Sequence, residues 1–169
     1  MPLTLLVVSD THGRADLLAQ AFRRAKPDGV LFLGDGLRDL NVLPDDTTLR
    51  AVRGNCDWTA RADAPPVRVE EIAGYRIYMT HGHLQGVKLS LDTAIENAAA
   101  AGADVLLYGH THVAYEKTHP VSALIGKTTL QKPLLVLCPG SLGQPPDGHP
   151  SFATLTLAAG GVLAGFGQL

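Results

Sequence analysis

The chain has 169 residues, of which 46% are hydrophobic and 18% are charged, so it can bury a sizeable core and lacks the composition of a disordered chain. Fourteen Lys and Arg stand against sixteen Asp and Glu, and the formal net charge of −2 argues against a nucleic-acid polymer as partner while leaving a nucleotide substrate open. We expect a single domain over residues 1–169.

The first part of the chain alternates predicted strands and a helix. Leu3–Val8 is a near-continuous apolar run that ends at Ser9, which is typical of a strand covered on both faces and not of a signal peptide. The helical spacing of apolar residues over Ala15–Ala25 predicts a helix, and Val30–Leu33 and Leu49–Val52 predict further strands. This order of elements indicates an α/β fold.

The middle of the chain adds a predicted hairpin, a second helix and another strand. Val67–Ile72 and Tyr75–Thr80 flank the two-residue connection Ala73-Gly74, which predicts antiparallel strands and hence a mixed sheet. Apolar residues at helical spacing from Val87 to Ala98 predict a helix, and Asp104–Tyr108 predicts a buried strand.

The last third, from Val113 onward, is rich in β-forming residues, glycine and proline. We expect its strands to form a second sheet that packs on the first, and Lys117–Lys132 and Gly143–Pro150 to be surface loops. The strands predicted here are Leu134–Leu137, Phe152–Leu157 and Val162–Phe166.

Five of the predicted strands are each followed by a side chain that can bind a metal. Two of these strand ends offer a pair of such side chains, Asp10-Thr11-His12 and His110-Thr111-His112. The seven candidate ligands are Asp10, His12, Asp35, Asn55, His81, His110 and His112. Ligands of α/β sheets bind outside the carboxyl ends of strands, so we expect these ends to meet at one site. In Asp10-Thr11-His12, alternate residues of an extended strand end can aim both side chains the same way.

Seven ligands are too many for one metal ion. With Asp35 as a bridge, two ions would each receive four protein ligands and keep open positions for water and substrate. Taken alone, Asp35 and Asn55 are better explained as turn residues than as ligands, because both residue types favour turns.

Five motifs carry a family resemblance: SDTHG, GDG, GNCD, THGH and GHTH, in this order from Asp10 to Gly143. They resemble the calcineurin-like metallophosphoesterase family, and especially its short bacterial and archaeal phosphodiesterase branch. The resemblance implies an α/β fold of two mixed β-sheets packed as a sandwich and flanked by helices. It implies one ion held by Asp10, His12, Asp35 and His112, and a second held by Asp35, Asn55, His81 and His110.

The resemblance implies a binuclear metal-dependent phosphodiesterase whose nucleophile is a hydroxide that bridges the two ions. Carboxylate, imidazole and amide ligands suit Mn²⁺, which we favour, with Fe, Zn²⁺, Ni²⁺ and Mg²⁺ as alternatives. Two divalent ions with the carboxylates of Asp10 and Asp35 leave two positive charges, and a bridging hydroxide leaves one. A small phosphodiester substrate, with one negative charge, would then neutralise the centre.

The candidate catalytic residues are Asn55, Cys56, Asp57 and His83. Many relatives carry a histidine after the motif's asparagine, where it can protonate the leaving oxygen, but this chain carries Cys56. A thiol with a pKa of about 8.5 is a weaker proton donor than imidazolium. We therefore expect leaving groups that need little protonation, such as phenolates. We hypothesise that His83 contacts the phosphate or the leaving group, and we interpret Asp57 as a support for Asn55 or Cys56.

Two residues keep two interpretations each. Cys56 either lines the site or fills the core as a small apolar residue, and Trp58 either lines the cleft beside GNCD or packs inside the protein.

Other functions remain open alongside the phosphodiesterase. One is a phosphomonoesterase with the same site, and another is a noncatalytic interaction scaffold, the role of this fold in a retromer subunit whose metal site is degenerate. We expect no membrane partner, since no apolar stretch approaches the roughly 18 residues of a membrane span. The two cysteines fit a reducing, cytoplasmic setting. Relatives in the branch commonly self-associate, so a homo-oligomer is expected.

Overall fold

Two helices, a short 3-10 helix and twelve strands follow each other in residues 1–58 and 63–169, the part of the chain that the computed structural model describes. The strands are β1 (Leu3–Val8), β2 (Gly29–Phe32), β3 (Leu49–Ala51), β4 (Val67–Ile72), β5 (Tyr75–Thr80), β6 (Val105–Leu107), β7 (Ala114–His119), β8 (Leu124–Ile125), β9 (Thr128–Thr129), β10 (Leu134–Pro139), β11 (Ser151–Ala158) and β12 (Gly161–Gln168). The helices are α1 (Ala15–Ala25), α2 (Asp92–Ala100) and the 3-10 helix Leu37–Val42.

Ten of these strands form two five-stranded sheets, each of them mixed. The first sheet has the order β12-β11-β1-β2-β3, in which β1, β2 and β3 run parallel and β11 and β12 pair antiparallel. The second has the order β4-β5-β6-β10-β7, in which β5, β6 and β10 run parallel and β4 and β7 pair antiparallel. The expected α/β fold with two mixed sheets is confirmed.

The sheets pack face to face and the helices cover their outer faces. In β1, Leu5 and Val7 face the cluster shared with the second sheet, whereas Leu6 and Val8 face the cluster under α1. Side chains alternate across a strand, so a strand that is covered on both faces is apolar throughout. A third cluster joins the outer face of the second sheet to α2, as Ile95 illustrates.

The division of the chain between the two sheets differs from the expectation. The last third does not form the second sheet by itself: β11 and β12 extend the first sheet from β1, and β7 and β10 join a sheet that the hairpin β4–β5 and strand β6 already build. Hydropathy and β-propensity mark a segment as a strand, but they do not specify which strand it pairs with.

Two predicted boundaries are also wrong. Helix α2 begins at Asp92 and not near Val87, because residues 83–89 form turns, and Val87 reaches the same apolar cluster from there. The predicted loop Lys117–Lys132 contains the end of β7 and the hairpin β8–β9. The predicted loop Gly143–Pro150 is confirmed.

The parallel strands of both sheets determine where a site can form. The loops after β1, β2 and β3 and those after β5 and β6 start from the carboxyl ends of parallel strands in the two sheets. In α/β proteins this edge is where ligands bind.

Candidate metal centre

The loops after these five strands bring all seven predicted ligands together. The side chains of Asp10, Asp35 and His81 are almost completely buried, the other three histidines are half-buried, and Asn55 is exposed. The seven residues are Asp10 and His12 after β1, Asp35 after β2, Asn55 after β3, His81 after β5, and His110 and His112 after β6.

The backbone is left-handed at five of these seven positions. The φ angle is 55° at Asp10, 44° at His12, 59° at Asp35, 68° at His110 and 61° at His112. Such a conformation costs a non-glycine residue about 1–3 kcal/mol and persists where the surrounding structure enforces it, typically at functional sites. The expectation that both Asp-x-His and His-x-His continue an extended strand is therefore wrong: β1 and β6 end earlier, and a pair of left-handed residues turns both side chains inward.

One half of the centre lies around Asp10. Its Oδ1 atom lies 3.0 Å from Nε2 of His112 and 3.6 Å from Nε2 of His12. The Oδ2 atom accepts hydrogen bonds from the Ser9 hydroxyl and from the backbone N–H of His110 at 3.0 Å. The protein's own donors thus occupy one oxygen of Asp10, and the other faces three imidazoles, because Nε2 of His81 also lies 3.9 Å from Oδ1.

The other half lies around Asp35 and His81. The Nε2 atom of His81 lies 3.3 Å from Oδ2 of Asp35 and 3.1 Å from Oδ1 of Asn55. The His110 ring packs edge-on against His81 with 5.0 Å between centroids. Because Oδ2 of Asp35 also lies 3.9 Å from Nε2 of His12, Asp35 stands between the two halves.

Backbone carbonyls orient two of the histidines. The Nδ1 atom of His81 lies 2.7 Å from the carbonyl oxygen of Leu33, and that of His112 lies 2.9 Å from the carbonyl oxygen of Gln144. A carbonyl oxygen can only accept a hydrogen bond, so Nδ1 donates, and in the neutral ring Nε2 keeps its lone pair. Metal-binding histidines are commonly held in this way.

Electrostatics favour ionised carboxylates at the centre. Burial raises the pKa of Asp10, but the close approach of the neighbouring histidines, His112 foremost, outweighs it and holds that pKa well below its usual range. Burial likewise opposes ionisation of Asp35, whereas the hydrogen bond and charge of His81 bring its pKa below the usual value. Burial together with the charge of His81 lowers the pKa of His110 to about 4. Such opposed shifts in one cleft are typical of functional sites.

The residues present fit divalent metal ions. In the described part of the chain, Oδ1 of Asp10 and Nε2 of His12 are buried polar atoms without a hydrogen-bond partner, and leaving such atoms unpaired is costly. Ligand atoms within 4.8 Å of one another form three overlapping groups: Asp10, His12 and His112; Asp35, His81 and His110; and His12, Asp35 and Cys56. Imidazole and carboxylate donors suit ions such as Mn²⁺, Fe²⁺ and Zn²⁺.

Asp57 fastens two of the ligand loops to each other. Its Oδ2 atom accepts hydrogen bonds from the backbone N–H groups of Asp35 (2.7 Å) and Gly54 (2.8 Å), and its Oδ1 atom accepts from those of Gly36 and Leu37, both at 2.9 Å. The carboxylate thus acts on the backbone that carries Asp35, and it supports Asn55 and Cys56 through the loop that it shares with them.

Two further residues stabilise the loop after β1 and were not anticipated. Asp39 accepts hydrogen bonds from the Thr11 hydroxyl and from the backbone N–H of Gly13 at 3.0 Å. Ser141 donates a hydrogen bond to the backbone carbonyl of Asp10 at 2.8 Å. The CPGS segment that contains Ser141 is a recognisable sequence signal, whereas an aspartate near a glycine-rich turn, such as Asp39, carries none.

Cys56 is exposed at the rim of the centre, so it is not a core residue. Its backbone N–H donates to Oδ1 of Asp35 at 2.7 Å, and the amide of Asn55 lies 3.4 Å from its sulfur. Partial burial and the nearby carboxylates, that of Asp35 foremost, raise the pKa of the Cys56 thiol to about 11. The thiol therefore keeps its proton at neutral pH.

His83 adjoins the half of the centre that holds His81. Its ring centroid lies 5.3 Å from that of His81 and 6.2 Å from that of His110. Burial and the charge of His81 lower the pKa of His83, and its buried Nδ1 has no hydrogen-bond partner among residues 1–58 and 63–169. His83 and Asn55 line the same cavity beside the centre.

Several cavities open beside the centre, and Trp58 lines two of them. The larger, of about 460 Å³, is lined in part by His12, Asp35, Cys56 and Trp58. The smaller, of about 280 Å³, is lined by Arg53, Gly54, Asn55, Asp57, Trp58 and His83. Trp58 lines both and is 88% exposed, so it is a residue of the cleft and does not pack inside the protein.

Comparisons with known proteins agree with this geometry. The family model described as a calcineurin-like phosphoesterase superfamily domain matches residues 3–160. The probable metallophosphoesterase YsnB of Bacillus subtilis is 31% identical over 157 residues, which cover 92% of this chain and 85% of that protein. The phosphodiesterase YfcE of Escherichia coli K12 is 28% identical, over 88% of this chain and 84% of that protein.

In the described residues, no helix is long and apolar enough to cross a membrane.

Solved structures share the fold. A predicted phosphoesterase from Streptococcus pneumoniae superposes with a TM-score of 0.74 at 28% identity and covers 99% of this chain and 90% of its own. Vacuolar Protein Sorting 29 from Cryptosporidium parvum superposes with a TM-score of 0.71 at 17% identity and covers 99% and 98% of the two chains, which shows the fold alone. With the two-sheet fold, the cluster of aspartates and histidines and the family model in agreement, the chain belongs to the calcineurin-like phosphoesterase superfamily.

Proposed function

We propose that the chain is a binuclear metal-dependent phosphodiesterase that acts on small phosphodiesters. The observation that carries the proposal is the position of Asp35 between two groups of ligand atoms. Its Oδ2 atom is 3.9 Å from Nε2 of His12 and 3.3 Å from Nε2 of His81, which is where a carboxylate that bridges two ions would be. One ion would be held by Asp10, His12, Asp35 and His112, and the other by Asp35, Asn55, His81 and His110.

When bound, two divalent ions would polarise the phosphoryl oxygens and provide a nucleophilic water at neutral pH. The chain's own residues prepare the site for this chemistry. Asp57 and Asp39 fix the loops that carry the ligands, and the carbonyls of Leu33 and Gln144 fix two imidazoles, so little reorganisation remains for the reaction. We favour Mn²⁺, because the two groups that match these two sites contain no thiolate.

The leaving group would depart on the side of Asn55 and His83. Asn55 can orient a phosphoryl oxygen through its amide, and the ring of His83 lines the same cavity, where it can contact the leaving group. Cys56 keeps its proton and is a weak acid, so strongly basic leaving groups gain little from it. This arrangement favours phenolate-type leaving groups over alkoxides.

The preference for diesters rests on charge and on a relative. Asp10 and Asp35 are the carboxylates of the proposed ligand set, and both are held in their ionised form. With two divalent ions and one hydroxide the centre would carry a single positive charge, which a phosphodiester monoanion balances. YfcE, named a phosphodiesterase, supports the same choice at 28% identity.

The two free cysteines support a cytoplasmic setting.

Hydrolysis of bis(p-nitrophenyl) phosphate against p-nitrophenyl phosphate tests the proposal. Metal-stripped protein is assayed with Mn²⁺, Zn²⁺, Mg²⁺ and no metal, beside Asn55→Ala and the matched control Asn41→Ala, which removes an exposed amide elsewhere. We expect metal-dependent cleavage that prefers the diester, is lost in Asn55→Ala and is retained in Asn41→Ala. A preference for the monoester would favour a phosphomonoesterase with the same site.

A noncatalytic scaffold is the second candidate, since Vacuolar Protein Sorting 29 shares the fold of this chain. Absence of both metal binding and hydrolysis with every metal would support the scaffold. Tight binding of two ions by the seven residues would speak against it.

A further inference from the structure

Trp58 is the only tryptophan of the chain, and it projects into solvent beside the candidate metal centre. Its side chain is 88% exposed, which is unusual because an aromatic ring of this size gains considerably from burial. The backbone just before it is held in place, since the Asp57 carboxylate is bound by four backbone N–H groups. A large apolar ring at an anchored position is available to a bound molecule.

The Trp58 side chain lines two cavities of the cleft. The cavity of about 460 Å³ contains His12 and Asp35, and the cavity of about 280 Å³ contains Asn55 and His83. Trp58 and Asp57 line both of them. The cavities thus begin at opposite halves of the centre and share the Trp58 side chain as a wall.

A phosphodiester carries two ester groups on one phosphorus atom, and these groups must diverge from a phosphate placed at the centre. The smaller cavity contains His83 and suits the group that leaves. The larger cavity, which begins at His12 and Asp35, suits the ester group that stays on the phosphate, and there this group meets the indole of Trp58.

We propose that Trp58 is a specificity-determining residue that stacks on a planar aromatic ester group of the substrate, an aryl ring or a nucleobase, in the larger cavity. The inference rests on the proposed phosphodiesterase function and names the substrate class of that site. Stacking on an aromatic side chain is tolerant of ring identity, because every such ring has a π face. The exposed indole gains its missing contacts only when the ring is bound.

Three diesters with the same leaving group test the inference: methyl p-nitrophenyl phosphate, phenyl p-nitrophenyl phosphate and the p-nitrophenyl ester of thymidine 5′-monophosphate. We expect the KM of the phenyl and thymidine diesters, relative to the methyl diester, to rise by about 5- to 100-fold in Trp58→Ala. Trp58→Phe keeps an aromatic face and retains most of the preference. Leu124→Ala removes an apolar side chain that is 69% exposed elsewhere, and it should leave the ratio unchanged.

The outcomes separate the possible ring sources. If the KM rises in Trp58→Ala for the thymidine diester alone, the ring that stacks is a nucleobase. If the KM rises for both the phenyl and the thymidine diester, any planar ring can stack. The inference is overturned if the KM of the phenyl and thymidine diesters relative to the methyl diester is the same in Trp58→Ala as in the unaltered chain, including the case in which the KM rises equally for all three. The proposed phosphodiesterase function would stand in either case.

Fluorescence of Trp58 gives a second readout that needs no hydrolysis, since no other tryptophan contributes. Adenosine 5′-monophosphate and ribose 5-phosphate are titrated into protein supplied with Zn²⁺, so that the two ligands differ only in the base. Quenching by the nucleotide that exceeds quenching by the sugar phosphate supports stacking, even if no diester is cleaved and the proposed function fails. An equal response to both ligands contradicts it.

Discussion

Replacing Asp57 tests whether this carboxylate holds the candidate centre together. Its two oxygens accept four backbone hydrogen bonds, two each, and three of the four donor residues are buried, namely Asp35, Leu37 and Gly54. Asp57→Asn keeps the shape of the side chain but turns one acceptor into an NH₂ donor. Two backbone N–H groups then face another donor and lose their partner.

The loss can be estimated from the number of bonds. A hydrogen bond to a charged group contributes about 1.5–3 kcal/mol, so losing two of them predicts that Asp57→Asn lowers the free energy of unfolding by about 3 kcal/mol. Asp57→Ala loses all four and should cost about twice as much. Asp46→Asn changes an exposed aspartate and should stay within about 0.5 kcal/mol of the unaltered chain.

Urea unfolding of metal-free protein, followed by circular dichroism, measures these differences without a contribution from bound ions. Asp57→Asn is expected to have a lower midpoint, with Asp57→Ala lower still. A midpoint for Asp57→Asn equal to that of Asp46→Asn would show that the four hydrogen bonds do not stabilise the loops as argued.

Two further predictions concern single positions. A Cβ at Gly54 would lie 2.1 Å from Oδ1 of Asp35, so Gly54→Ala should displace this carboxylate and weaken Mn²⁺ binding, measured by calorimetry, at least about tenfold. Gly160→Ala is the control, because a Cβ there would have no atom within 4 Å. Equal Mn²⁺ affinities of the two variants would refute the contact. Burial and the charge of Lys117 lower the pKa of His119, so the unfolded chain binds the proton more readily and stability falls as the pH drops below about 6.5. The free energy of unfolding of His119→Leu should therefore depend less on pH between 7 and 5, by no more than about 1.4 kcal/mol per pH unit, and an unchanged dependence would contradict this.

The sequence predicted the elements well where hydropathy has a clear period. The strand Leu3–Val8, the helix Ala15–Ala25 and the hairpin around Ala73-Gly74 lie where the pattern indicated. It could not predict that β11 pairs with β1, because strand pairing over about 150 positions leaves no local signal in hydropathy. Nor could it place the start of α2, since Val87 fits the helical period but lies in a turn.

The candidate site was predictable as a set of residues but not as a geometry. Side chains at strand ends pointed to Asp10, Asp35 and His81 because topology alone brings such ends together. The left-handed backbone at His12 was not predictable, because the residues on both sides of it, Thr11 and Gly13, are held by tertiary hydrogen bonds to Asp39. Such contacts join residues far apart in the chain and appear only in the folded structure.

The number of Mn²⁺ ions bound per chain tests the central claim most directly. Isothermal titration of the metal-free protein should give two ions per chain, and Asp35→Asn should weaken both of them together, because Asp35 lies between the two groups of ligands. Asp46→Asn, a change of charge at an exposed position, should still bind two. If Asp35→Asn lost one ion and bound the other with unaltered affinity, Asp35 would not be a bridge and the binuclear account would be contradicted.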